Sequence, residues 1–254
     1  MFKRLFVLAA VAAAIAPAHA LTAGDIAIIG RINNGSPDSF AVVALTNIAA
    51  GEVIYFTDNG WTGTGFRGAS ATDGDGNENL TKWTVAAPVA AGTVVLSTAA
   101  SFKTSGAIAG TTSGSHASLA LSQSGDQIYA FQGSANNPLF NTAVQTHLYL
   151  LDDSNGFEAA SSSATGGVPT GLTFGSTAVT LNFSSGGGIR VKSSVLAGPA
   201  MDKTQWLSTF AIASNWEAGT PLPTASISVV PEPESYALLL AGLAGLAFVA
   251  RRRA

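Results

Sequence analysis

The stretch Phe40-Ala41-Val42-Val43-Ala44-Leu45, followed after the turn residues Ala50-Gly51-Glu52 by Val53-Ile54-Tyr55-Phe56, decides the fold. Successive side chains of a strand point to opposite faces, so a half-wet strand alternates apolar and polar residues. These two runs are apolar on both parities, which predicts central strands covered on both sides. Short runs of β-branched, aromatic and aliphatic residues, bounded by Gly, Asn, Asp, Ser and Pro, recur on either side of them. They predict strands at 25–32, 40–47, 53–57, 80–85, 93–97, 127–132, 147–151, 179–183 and 189–195. In the last of these Ile189, Val191 and Val195 alternate with Arg190 and Lys192, giving one buried and one wet face. Gly186-Gly187-Gly188 reads as the hairpin turn between the last two strands. So many strands with almost nothing helical between them predict an all-β fold, an antiparallel β-sandwich rather than a βαβ fold. One short helix is expected at 202–210, where Trp206 and Phe210 share a face. Residues 154–171, rich in Ser, Gly, Ala and Thr, read as a long surface loop, and 222–230 as a final strand or linker.

The chain has 254 residues, 47% hydrophobic and 11% charged, with 28 glycines and no cysteine. That composition excludes a disordered or collagen-like chain, a disulfide framework, a thiol nucleophile and any Cys-based metal site. Five of the 12 basic residues lie at the two ends, and residues 21–230 carry 7 basic against 13 acidic side chains. A protein that tracks a nucleic-acid backbone needs the opposite sign, so no nucleic-acid partner is expected.

The ends read as addresses. Lys3 and Arg4 precede an apolar run from Leu5 to Ile15, and Ala18-His19-Ala20 offers signal peptidase a small-x-small site. Eleven apolar residues rise only ~16 Å as helix, about half of a ~30 Å hydrocarbon core, so 1–20 is expected to be a signal peptide rather than an anchor. The mature chain would begin at Leu21. At the other end Pro231-Glu232-Pro233-Glu234-Ser235 leads into an apolar stretch from Tyr236 to Ala250 and then Arg251-Arg252-Arg253. A transmembrane helix at 236–250 with a basic cytoplasmic stop accounts for this order, because cations are held on the inner side.

Those three parts, in that order, resemble the PEP-CTERM sorting tail of Gram-negative bacteria. The resemblance implies that 226–254 is a sorting signal. It would be recognised and cut by an exosortase, a membrane protease, and such proteins are associated with exopolysaccharide and biofilm matrix. The expected organisation is therefore a signal peptide at 1–20, a β-sandwich at 21–225 and a sorting tail at 226–254. The body also has a family look. Gly24-Asp25-Ile26-Ala27, the run from Phe40 to Ile48, Ala50 through Trp61, Ser124-Gly125-Asp126-Gln127-Ile128 and Asn215-Trp216 resemble lamin-tail-like, immunoglobulin-type sandwich modules of secreted bacterial proteins. That group brings no catalytic set to transfer.

Within the body, Asp73, Asp75, Asn77 and Glu78 place oxygen ligands on a glycine-loosened loop, the way a hard cation such as calcium is wrapped. The EF-hand pattern fails, with Glu78 at the sixth position and Thr84 at the twelfth. Two readings stay open: a non-EF calcium site completed by Asp58, and an acidic turn that needs no metal. His116 and His147 are 31 residues apart in no metal-ligand spacing, and no Gly-x-Ser-x-Gly elbow occurs. Asp152-Asp153 are expected in a turn. Trp61 and Phe66, in a Gly/Thr-rich loop, would be exposed and stack on sugar rings, or would fold back to cap the sandwich. With no catalytic arrangement, a non-enzymatic exported surface or matrix protein that binds or organises polysaccharide is expected. The alternative is an extracellular hydrolase of polysaccharides or esters.

Overall fold

The computed structural model describes residues 20–34, 38–67, 80–98, 101–104, 107–111, 119–133, 145–154, 156–158, 162, 164–183, 186–231, 242, 243, 250 and 251. Its strands are β1 (Ile26–Ile32), β2 (Ser39–Ala44), β3 (Val53–Thr57), β4 (Leu80–Val85), β5 (Val94–Ser97), β6 (Ser101–Thr104), β7 (Ala107–Thr111), β8 (Gln127–Gln132), β9 (Thr146–Asp152), β10 (Ala178–Thr180), β11 (Ile189–Val191) and β12 (Trp216–Ala218). Hydrogen bonding runs through them in the order β10-β9-β8-β3-β4-β7-β6-β5-β2-β1-β11-β12. Every neighbouring pair is antiparallel except β9 and β10, which are parallel.

This continuous order folds over into two facing layers. Phe40 on β2 and Phe56 on β3, far apart in the order, meet with ring centroids 4.8 Å apart. Phe102 on β6 stacks on Phe56 at 5.7 Å and on Trp83 of β4 at 5.2 Å. Just before β1, Gly24 N donates to Leu148 O of β9 at 2.8 Å, tying the layers at another point.

The two-parity runs do sit centrally. On β3 and β8, Ile54, Phe56, Ile128 and Ala130 face the inner core. Tyr55, Tyr129 and Phe131 join a second cluster with Trp61, Phe66 and Leu150 on the other side. By contrast β4 is buried at alternate residues only, as a strand with one open face should be.

Helix α2 (Lys203–Phe210) stands where expected. Asp202 Oδ1 accepts from Gln205 N at 2.8 Å while Gln205 Oε1 accepts from Asp202 N at 3.0 Å, a reciprocal cap. Trp206 and Phe210 stack at 5.4 Å and enter the core.

Several expectations are corrected. The strand at 189–195 stops at Val191, and Ser193–Leu196 forms a short helix, α1. Leu196 N donates to Lys192 O, so the alternation of Val195 with Ile189 and Val191 was not a strand signal. Nor do Gly186–Gly188 close a hairpin, because β10 and β11 lie in opposite halves of the order. Gly188 (φ +141°) instead lets β1 come close: a Cβ there would sit 2.8 Å from Arg31 O. The parallel β9–β10 pair departs from the all-antiparallel expectation. β6, β7 and β12 were not foreseen, their sequences being short, polar or glycine-containing.

The stacked ring of Phe56 fills the space between layers. Phe56→Ala is expected to cost about 3–5 kcal/mol, read as a lowered urea midpoint for the purified body at unchanged m-value.

Candidate functional site

The densest polar chemistry lies at one end of the sandwich. Arg31 belongs to the otherwise apolar strand Ile-Ala-Ile-Ile-Gly-Arg-Ile and is 1% exposed. Its Nη2 donates to Asp153 Oδ2 at 2.5 Å and its Nη1 to Ser122 O at 3.3 Å. From there aspartates form a lattice. Asp153 Oδ1 accepts from Asp126 N (2.9 Å), and Asp126 accepts from Ser122 N (2.6 Å) and Gln127 N (2.8 Å). Asp58 Oδ2 takes Ala120 N and Asp38 Oδ2 takes Leu121 N, both at 2.7 Å. Asn33 Nδ2 donates to Ser122 O at 2.7 Å, and the Gln127 amide to Asp58 O. Residues 119–126 belong to no strand or helix. Side chains meet the amides of Ala120, Leu121, Ser122, Ser124 and Asp126 and the carbonyl of Ser122, as buried backbone requires.

Burial and shortage of positive charge set the protonation. Burial foremost, with the Asp58 charge adding, pushes the Asp126 carboxyl up to about 8, against the pull of the Ser122 and Gln127 amides and of Arg31. Asp152, beside Asp153 and bonded to Ser154, is pushed up by burial to about 6. Burial also raises Asp153 and Asp38, opposed by Arg31 in both and by the Leu121 amide at Asp38. At neutral pH Asp126 is thus a neutral acid inside the protein. Asp152-Asp153, expected in a turn, lie at the end of β9 and just past it, fully buried.

Trp61 and Phe66 are not an exposed sugar platform: they are 6% and 2% exposed. The fold-back reading holds because the outer faces of β3, β8 and β9 carry Tyr55, Tyr129, Phe131 and Leu150, which need a cover. Trp61 meets His147 edge-on at 4.9 Å, and Phe66 meets Tyr129 at 5.2 Å and Phe131 at 5.1 Å. Tyr129 OH accepts from Trp61 N at 3.3 Å and donates to Gly167 O at 3.0 Å, which brings Gly167 onto the same cover. His147 is lowered by burial to about 4 and is neutral at ordinary pH.

The third feature is a cleft of about 500 Å³ whose lining includes Thr22, Asn47, Ala90, Ala91, Lys203 and Pro231. Leu21 is buried, and Thr22 N donates to Asp25 Oδ2 at 2.7 Å, fixing the start of the body. Lys203 Nζ donates to Asp25 Oδ1 at 3.2 Å. The chain leaves the body on the same rim. Ile227 N donates to Gly92 O (2.9 Å), Trp206 Nε1 to Ser228 O (3.1 Å) and Val230 N to Met201 O (2.9 Å). At Gly92 (φ +85°) a Cβ would fall 2.1 Å from Ile227 O, so only glycine admits this approach.

Of the residues singled out in the sequence, Asp73, Asp75, Asn77, Glu78, His116, Ala18, Glu232, Pro233, Arg252 and Arg253 lie outside the described residues. Ala20, Pro231 and Arg251 are exposed. Asp58, offered as a further calcium ligand, instead has one oxygen committed to Ala120 N. Among the described residues no three His, Asp or Glu side chains converge on a point that could hold a metal ion. No helix among them is long and apolar enough to cross a membrane, and most of 236–250 lies outside them. Sequence reasoning missed the Arg31 lattice, for which a lone arginine in an apolar strand was the available signal.

Residues 229–253 match the family model of the PEP-CTERM protein-sorting motif. The motif marks an extracellular protein that an exosortase, a membrane protease, processes from a membrane-anchored precursor on its way to the cell surface. No curated protein and no solved structure matches the chain.

The lattice makes stability depend on pH. The folded chain keeps the Asp126 proton to about pH 8, whereas an unfolded aspartate loses it near about pH 4. This group's contribution is therefore full below about pH 4 and is lost as pH rises through about 8. His147 acts in the opposite sense, its contribution falling away as pH drops from about 6.5 through about 4. Asp126→Asn is expected to flatten the decline of the urea midpoint between about pH 4 and about pH 8; an unchanged slope would place the proton elsewhere.

Proposed function

We propose that the chain is a non-enzymatic cell-surface or matrix protein whose body binds or organises exopolysaccharide of the biofilm type. The observation that carries this reading is the sorting motif at 229–253. In the full reading, residues 1–20 are a signal peptide removed by signal peptidase, the body is a lamin-tail-like, immunoglobulin-type sandwich, and 236–250 is a transmembrane helix that holds the precursor in the inner membrane until an exosortase cuts. Support for a binding rather than a catalytic role comes from how the acids are used. Asp58, Asp126, Asp152 and Asp153 hold backbone amides or a buried arginine, and none lines the cavities of about 500, 510 and 320 Å³.

With Trp61 and Phe66 turned inward, the aromatic offered to a sugar among the described residues is Phe174. It is 67% exposed and held edge-on by Phe157 at 5.8 Å. The purified body is expected to co-sediment with the producer's exopolysaccharide, and Phe174→Ala to weaken that binding by about tenfold, on the order of one lost stacking contact. Equal co-sedimentation of the two proteins would remove Phe174 from the role.

Calcium remains the ion the 73–79 loop would take. A calcium excess of about a hundredfold over Kd should stabilise the body by about 2.7 kcal/mol, read as a rise in Tm that Asp73→Ala with Asp75→Ala abolishes. An equal response in parent and double variant would make the loop a turn only.

A further inference from the structure

We propose that the face around the cleft rimmed by Thr22, Asn47, Ala90, Ala91 and Pro231 is where the tail-processing membrane protease seats. The folded body, and not the tail alone, is then part of what the protease reads. The proposal rests on the reading of the tail as a processed signal.

The chain has little slack where it leaves the body. Trp206, Gly92 and Met201 hold the chain through Val230, the residue immediately before Pro231. Between Pro231 and the start of the apolar run at Tyr236 the chain can reach at most about 18 Å even fully extended. A small domain is about 30 Å across. A membrane protease that closes on a peptide bond in this stretch therefore has to touch the body beside Pro231.

The start of the body lies on the same rim. Thr22 stands on the same cleft as Pro231 and is pinned by Asp25. Two residues before it lies the expected signal-peptidase cut, so both apolar ends of the precursor leave from one face. That face is turned to the membrane before either cut is made.

A surface made for anionic headgroups is rich in lysine and arginine. Here Lys203 is the cation in the lining, and Asp25 holds it. The rest of the lining is neutral, with apolar Leu45, Val229 and Val230 beside hydrogen-bonding groups at Thr22, Thr46 and Asn47; Asn47 Oδ1 accepts from Ala91 N at 2.9 Å and is oriented by it. A neutral, close-approach surface of this kind fits a protein face rather than a bilayer.

The test follows the full chain in a host that carries its exosortase, with conversion of precursor to mature protein read by pulse-chase and intact mass. Ala90→Arg with Ala91→Arg puts bulk and charge on the rim without touching the tail. The double variant is expected to mature at least about tenfold more slowly, with the Tm of its body unchanged. About ten Gly/Ser residues inserted between Val230 and Pro231 add an r.m.s. reach of about 16–19 Å and should make maturation indifferent to the two arginines. If the double variant matures at the parent's rate, or is equally slow with the spacer, the proposal is overturned while the sorting reading stands. A parent chain that keeps its tail in that host overturns the sorting reading, and the proposal with it.

Discussion

The guanidinium of Arg31, packed against Asp153 at the far end of the sandwich, is the contact on which that end of the molecule depends. It joins the first strand of the body to the end of β9, across the two layers. A buried carboxylate left alone would take up a proton, and a buried guanidinium cannot lose its own, so each is tolerable inside because the other is there. With Asp153 held, its second oxygen receives Asp126 N, and Asp126 in turn receives Ser122 N and Gln127 N. The segment 119–126, which has no ladder of its own, is held by that chain of bonds. One arginine does not compensate all the aspartates gathered here. Burial foremost, with the charge of Asp58 adding to it, drives the Asp126 carboxyl up to about 8.

Two-sided burial of the central strands governs the rest of the shape. A strand such as β3, with Ile54 and Phe56 inward and Tyr55 outward, leaves an apolar outer face that water would penalise. The loop carrying Trp61 and Phe66 folds down on that face, and Gly166 lies so close beneath it that a Cβ would meet Tyr129 OH at 2.3 Å. The loop aromatics therefore serve the fold, and among the described residues Phe174 is the aromatic side chain that stays largely exposed.

The sorting tail is coupled to this fold rather than hung from it. Because Trp206 on α2 and the glycine at 92 hold the strand-like exit at 227–230, the motif starts where the body ends. The stability of α2, with its reciprocal Asp202–Gln205 cap, thus sets where the tail is presented.

What the sequence by itself determined are the features written in short contiguous segments. The sorting motif is an order of Pro-Glu-Pro, apolar run and arginines, legible because each part acts through its own local physics. The core strands 53–57, 80–85 and 127–132 were legible because parity and β-branching are local too. Helix 202–210 was legible from the four-residue spacing of Trp206 and Phe210. Tertiary structure alone decided the pairings: the parallel β9–β10 contact, the placing of β11 beside β1 and the inward turn of Trp61. It also decided the role of Arg31, whose partner Asp153 is 122 residues away. Whether a polar or aromatic side chain is buried depends on what distant segment covers it, and no local window of residues carries that information.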